Sequence, residues 1–211
     1  MKIVVIGVAD FVANLVREMT DRGHQVAVFD DAKEGVEKLE AELDVTGAVV
    51  DLLNFDELEE FGFSKADILV LTHRDDTINV VLSMYAKMVN IPRVLVVSKS
   101  KKIAEVIQKL GLASSVLTIE SLVGKAVTSA LLGAETIELP GDSLVAALDT
   151  KVISQLVGIS IADLRDKWRL TVLRVIDREG ILRELADEYV VKEGDIVLVV
   201  AERTRIKELL L

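Results

Sequence analysis

Three groups of residues in the first hundred positions carry spacing that could do chemistry. The run Val5-Ile6-Gly7-Val8-Ala9-Asp10-Phe11-Val12 sits between an apolar stretch and a helical period. A dinucleotide fold places Gly-x-Gly-x-x-Gly there: one glycine for the turn, one for approach to a pyrophosphate, one for helix–strand packing. Gly7 is present, Ala9 stands at the second glycine and Val12 at the third, so the set is degenerate. Asp30 closes the next apolar stretch, where a carboxylate can accept hydrogen bonds from ribose hydroxyls. Asp51, Thr72 with His73, and Ser98 with Lys99 each follow a further apolar run. Open α/β sheets bind ligands at such strand ends. Lys99 is the residue best suited to meet a phosphate.

Asp10 admits two readings. It lies at the expected helix N-terminus, where a phosphate would dock. A capping carboxylate contributes about 1 kcal/mol, whereas repulsion of a phosphate at ~4 Å and an effective dielectric of ~20 costs about 4 kcal/mol. Asp10 is therefore either a cap on a fold that has lost its ligand or a residue that weakens dinucleotide binding. For His73 the residue pattern supplies no carboxylate partner, and a solvated ring is expected rather than a catalytic base.

Alternating elements position these residues. Strands are expected at Lys2–Ile6, Gln25–Phe29, Gly47–Val50, Asp67–Leu71, Arg93–Val97 and Ser115–Leu117. Helices are expected at Phe11–Asp21, Lys33–Leu43, Phe55–Phe61, Thr77–Val89, Ile103–Leu110 and Glu120–Leu132. Such alternation implies a mostly parallel, doubly wound sheet with helices on both faces. Composition changes near Gly133, and Leu139-Pro140-Gly141 marks a connection. Beyond it, strands at Ser143–Ala147, Leu170–Ile176 and Ile196–Ala201 alternate with short helices at Ser160–Trp168 and Arg203–Leu210. The fold class is thus α/β, a Rossmann-like domain over 1–133 followed by a small α+β domain over 134–211.

Composition excludes several functions. The 211 residues are 51% hydrophobic but 4% aromatic, as a buried Val/Leu/Ile sheet requires. A net charge of -10 with no basic cluster argues against nucleic-acid binding. The absence of cysteine rules out disulfides and thiolate metal sites. No run reaches ~18 apolar residues, so no membrane helix is expected, and a cytoplasmic chain follows. The acids Asp163, Asp166, Asp177, Glu179, Glu184, Asp187 and Glu188 lack the spacing of a cation loop and are expected to form a solvated face. Trp168 is expected as a core or interface anchor. The small and apolar helix Glu120–Leu132 is expected to be covered by a neighbour, and with Thr77–Val89 it is a candidate dimer surface.

The order of landmarks resembles the regulator-of-potassium-conductance family, the Trk/Ktr-type potassium-uptake subunits. Met1–Gly7, Val26–Asp30 and Ala66–Leu71 carry the likeness, and Thr72, Asp76 and Asn79 resemble its Thr-x-x-Asp-x-x-Asn pattern with altered spacing. Thr118-Ile119-Glu120 resembles the entry to the crossover helix, and Leu139-Pro140-Gly141-Asp142-Ser143 and Glu193-Gly194-Asp195 resemble landmarks of the C-terminal domain. The resemblance implies a non-catalytic regulatory subunit that binds NAD(H) or an adenine nucleotide (ATP, ADP or AMP). It also implies a homodimer or ring at the inner face of the membrane, acting on an integral-membrane potassium transporter or channel. By position it assigns the ligand contacts to Gly7, Ala9, Asp30, Asp51, Thr72, Lys99 and Glu120, with Asp10 where the family often has arginine. Two alternatives stand beside it: an NAD(P)-dependent oxidoreductase, and a regulator of another cation transporter or antiporter that has lost nucleotide binding.

Overall fold

The computed structural model describes residues 1–210, which form two compact units, the first ending at Leu122 and the second beginning at Val123. The first unit runs β1 (Lys2–Ile6), α1 (Val12–Asp21), β2 (Gln25–Asp30), α2 (Lys33–Glu42), β3 (Thr46–Val49), α3 (Phe55–Glu60), β4 (Ile68–Leu71), α4 (Asp76–Met88), β5 (Arg93–Ser98), α5 (Lys101–Lys109) and β6 (Ser115–Thr118). Helix α6 (Ile119–Leu132) contains the boundary between the units. The six strands pair in parallel in the order β3-β2-β1-β4-β5-β6. That is the doubly wound order, with its reversal between β1 and β4.

Successive residues of a strand point to opposite faces, and here both faces are apolar. Val4 and Ile6 join Phe29, Leu69, Leu71, Leu82 and Ile107 in one buried cluster. Ile3 and Val5 join Val12, Val16, Val28 and Leu39 in another. Helices α4 and α5 supply Leu82 and Ile107 to the first cluster, and α1 and α2 supply Val12, Val16 and Leu39 to the second. Helix α4 therefore spends its apolar stripe on its own sheet. It leaves Met84 and Met88 exposed, a narrower free surface than its sequence suggests. Helix α6 differs: none of its fourteen residues is buried.

The second unit contains β7 (Ala134–Glu138), β8 (Ser143–Asp149), α7 (Ile161–Asp166), β9 (Thr171–Ile176), β10 (Leu182–Arg183), β11 (Ile196–Glu202) and α8 (Arg203–Leu209). Its sheet is antiparallel, in the order β10-β9-β11-β8-β7. One face carries Leu144, Ala146, Leu148, Val172, Val175, Val197 and Val199 into a core closed by Ile161, Leu164, Ile206 and Leu209. Trp168 packs against this core half-buried. Strands β7 and β10 are additions to the sequence reading. Five residues with one β-branched pair, Thr136-Ile137, read as linker until β8 offers them a partner.

Asp195 ties the loop before β11 together. It is buried, and its Oδ2 accepts the Tyr189 hydroxyl at 2.8 Å and the Lys192 N–H at 2.9 Å. Desolvation, and then the hydrogen bond to Asp195, push the Tyr189 phenol up to about 12. Because the folded value is raised, this stabilisation is complete below the unfolded value near 10. It is lost as pH rises through about 12. We expect the second unit to lose stability over that window. In a Tyr85→Phe background, an Asp195→Ala change should return the phenol titration towards 10, followed by absorbance near 295 nm. A Tyr189 titration unmoved by the change would refute this.

Candidate functional site

The C-terminal ends of β1, β2, β4 and β5 are joined by one continuous set of hydrogen bonds. At β1 the chain turns at Gly7, with φ +94°. The Thr72 hydroxyl, at the end of β4, lies 2.7 Å from the Gly7 carbonyl and 3.1 Å from that of Ile6. A Cβ on Gly7 would lie 2.4 Å from the His73 nitrogen, so only glycine lets the two strand ends approach this closely. Asp30 is buried at the end of β2. Its Oδ2 accepts the Val8 N–H at 2.6 Å, and its Oδ1 accepts the Ala32 N–H at 2.8 Å. The carboxylate assigned to ribose thus also fixes the loop between β1 and α1.

His73 corrects an expectation. Its ring is buried rather than solvated, with a side-chain exposure of 3%, and it has a carboxylate neighbour. Nδ1 accepts the Asp75 N–H at 3.2 Å. A neutral ring in that arrangement carries its proton on Nε2, which lies 3.5 Å from Asp31 Oδ1. The Arg74 guanidinium reaches the same oxygen at 3.1 Å. The Asp31 carboxyl is held below the usual carboxylate range, first by a side-chain hydrogen bond with Asp30 and then by His73 and Arg74. Asp31 and Arg74 adjoin Asp30 and His73 in sequence. That adjacency was the available signal for them, but strand-end loops are polar in general.

Asn79 links this cluster to β5. Its amide oxygen accepts the His73 N–H at 3.1 Å, and its Nδ2 donates to the His73 carbonyl at 2.9 Å and to Asp76 Oδ1 at 3.4 Å. Asp76 in turn accepts from Ser98 Oγ at 2.8 Å, Ser100 N at 2.9 Å and Lys99 N at 3.3 Å. Asp76 and Asn79 are three residues apart on α4, so they share a helix face. That common face is why the altered spacing from Thr72 still closes the network.

Gly7, Asp30 and Thr72 thus come together, with Lys99 tethered to the same network through its backbone. The Lys99 side chain is exposed and makes no hydrogen bond among the described residues. Ala9 is half-buried in the loop before α1. Asp51 stands apart, exposed, its Oδ1 closing a turn with the Leu53 N–H at 3.0 Å. Glu120 is exposed in the first turn of α6. Asp10 is not a helix cap: α1 begins at Val12, Phe11 holds the cap position, and no side chain bonds to that end. The turn Val12 N–H to Ala9 carbonyl, 2.8 Å, displaces Asp10 from capping reach.

Asp30, Asp31 and His73 place one donor atom each within 4.8 Å of the others. The Asp30 oxygens already accept two backbone N–H groups, and Nδ1 of His73 accepts a third, from Asp75. The three therefore form a hydrogen-bonded cluster rather than an open coordination site. Helix α1 opens at this crest with no side-chain cap on its N-terminus.

Comparison with known proteins agrees with this architecture. The TrkA-N domain family model matches residues 3–119. The crystal structure of the GsuK RCK domain superposes with a TM-score of 0.73 at 17% identity, covering 98% of this chain and 46% of that one. This chain therefore spans about half the length of that structure. The NAD(P)-binding domain of an exopolyphosphatase-related protein from Archaeoglobus fulgidus gives 0.53 at 25% identity, covering 61% of this chain and 95% of that one. The C-terminal domain of Kef from Shewanella denitrificans, in its AMP-bound form, gives 0.53 at 15% identity over 63% and 82%. No curated protein matches the chain. With the family model covering more than half its residues, the chain belongs to the TrkA-N family, and its two units together have the fold of RCK domains.

Proposed function

We propose that this chain regulates a membrane potassium channel or transporter by binding NAD(H) or an adenine nucleotide at the strand crest. It carries out no chemistry on the ligand. Residues 1–133 hold the ligand through Gly7, Ala9, Asp30, Asp51, Thr72, Lys99 and Glu120, with Asp10 at the mouth. Residues 134–211 form the sensing domain. The chain works at the cytoplasmic face beside an integral-membrane partner; among the described residues no helix is long and apolar enough to cross a membrane.

The observation that carries this reading is helix α6. Val123, Val127 and Leu131 are 56%, 52% and 73% exposed on a helix with no buried residue. An amphipathic surface helix turns its apolar stripe inward; one that does not is an interface. A ligand can move a partner only by binding two conformations with different affinity, and a self-associating chain provides such conformations. The likeness to the NAD-bound GsuK channel and to AMP-bound Kef supports the ligand class.

Calorimetric titration with NAD, NADH, AMP, ADP and ATP is expected to give sub-millimolar binding of at least one. Light scattering at micromolar concentration should show a dimer or larger assembly, whose mass falls when Val127 and Leu131 are both changed to Asp. A monomeric wild-type chain, or turnover of NADH with carbonyl substrates, would overturn the proposal.

A further inference from the structure

A bridge of side chains spans the end of β1. The sheet order places β1 between β2 and β4, and Ile6, its last residue, pairs with Phe29 of β2 and Leu71 of β4. Asp31 follows β2 and Arg74 follows β4. Neighbouring strands lie about 4.8 Å apart, so these two loops leave the sheet two strand spacings from one another. Arg74 Nη2 nevertheless reaches Asp31 Oδ1 at 3.1 Å, and His73 Nε2 lies 3.5 Å from the same oxygen. The link joins the loops on either side of the Gly7 turn. It is also weakly held. The Arg74 and Asp31 side chains are 67% and 43% exposed, and exposed ion pairs contribute little. A guanidinium carries five N–H donors in a fork that matches phosphate. Among the described residues Arg74 uses one of them, on Asp31.

The charges around that turn are mostly negative. Asp10 is exposed in the loop after Gly7, and Asp30 is buried where it fixes the same loop. A phosphate near the turn meets both carboxylates. Lys99 follows β5, one strand beyond β4. Resting on the reading that nucleotide binds at the crest, we propose that Arg74 is a latch that becomes a phosphate ligand. It holds Asp31 across the end of β1, and it exchanges that carboxylate for a phosphate of the nucleotide when one binds. The guanidinium stays paired throughout, and phosphate takes it in the stronger, two-pronged geometry. Asp31 competes with the ligand for this one cation. It therefore lowers the affinity for phosphate, unlike Asp30, whose proposed partner is ribose.

Calorimetry with AMP, ATP and NAD on the full chain and its variants tests this. Arg74→Ala should weaken binding about tenfold or more. Arg74→Lys should fall between, because an ammonium lacks the fork. Asp31→Ala should tighten binding severalfold, the opposite of what loss of a ribose contact would do. In the Arg74→Ala background, Asp31→Ala should leave affinity unchanged, since it acts through the guanidinium. A general relief of negative charge would tighten binding there too. Urea midpoints of the variants should stay near that of the wild type, because the pair is exposed. Nucleotide binding that Arg74→Ala leaves unchanged, or that Asp31→Ala weakens, would overturn the latch and spare the ligand reading. Equal tightening by Asp31→Ala with and without Arg74 would overturn it as well. A chain that binds none of the three ligands, either as wild type or as Asp31→Ala, would remove the latch and the ligand reading together.

Discussion

Replacing Gly7 by alanine is expected to lower the stability of the first unit by about 2–5 kcal/mol. Two terms add. A residue other than glycine at φ +94° is strained, at about 1–2 kcal/mol. The new Cβ would also sit 2.4 Å from the His73 nitrogen and 2.5 Å from its Cα, both backbone atoms of a buried segment. Relieving that overlap requires β1 and β4 to separate at their ends, typically costing about 1–3 kcal/mol. Separation also breaks the Thr72 bonds to Ile6 and Gly7. Gly23 separates the two terms, because it has φ +78° with nothing within 4 Å of its Cβ position. Gly23→Ala should cost only the conformational part. Urea denaturation of both variants decides the matter: equal losses would mean that the close approach of β1 and β4 contributes nothing. Where Gly7→Ala remains folded, the nucleotide binding proposed for the crest should be lost, because the loop from Val8 to Phe11 is displaced with it.

The parts of the fold that were legible in the sequence are those where one residue determines its own surroundings. Gly7, at the end of a continuous apolar run, had to be a turn, and Asp30 had to stand at the crest beside it. Parallel strands buried on both faces produce unbroken runs of Val, Ile and Leu, so β1, β4 and β5 were visible within a residue or two. Strand β7 was not, because Ala134–Glu138 becomes a strand only through pairing with β8. The site divides in the same way. Asp30, Thr72 and Lys99 follow from their places after strands, but the burial of His73 does not. Asp31 and Asn79 enclose it from β2 and α4, and those contacts join positions that sequence order keeps apart. Asp10 shows the limit from the other side. Residue type and approximate position suited a cap, yet helix α1 begins two residues later, beyond what pattern alone resolves.

Asp76 provides the second large expected effect. Its carboxylate collects donors from three segments: Ser98 Oγ at the end of β5, the Lys99 and Ser100 N–H groups of the following loop, and Asn79 Nδ2 on its own helix. An Asp76→Ala change leaves these donors without their acceptor in a buried place. At about 1–3 kcal/mol for each strongly bonded group left unsatisfied, and with Ser98 Oγ also 3.0 Å from the Ser100 carbonyl as an alternative acceptor, the loss should be about 2–4 kcal/mol. The change should fall on the crest more than on the sheet. Hydrogen exchange at residues 99 and 100 should rise by more than in β1 or β4, because the loop carrying Lys99 loses its tether. Ser98→Ala alone should cost less, and in the Asp76→Ala background it should cost almost nothing further, since the bond it removes is already gone. Additive losses in that cycle would mean that the Asp76–Ser98 bond does not hold the loop. Asp76→Asn should not rescue fully, because one oxygen that accepts N–H groups becomes an N–H donor facing them. A single buried carboxylate on α4 thus holds the end of β5 and the loop that follows it.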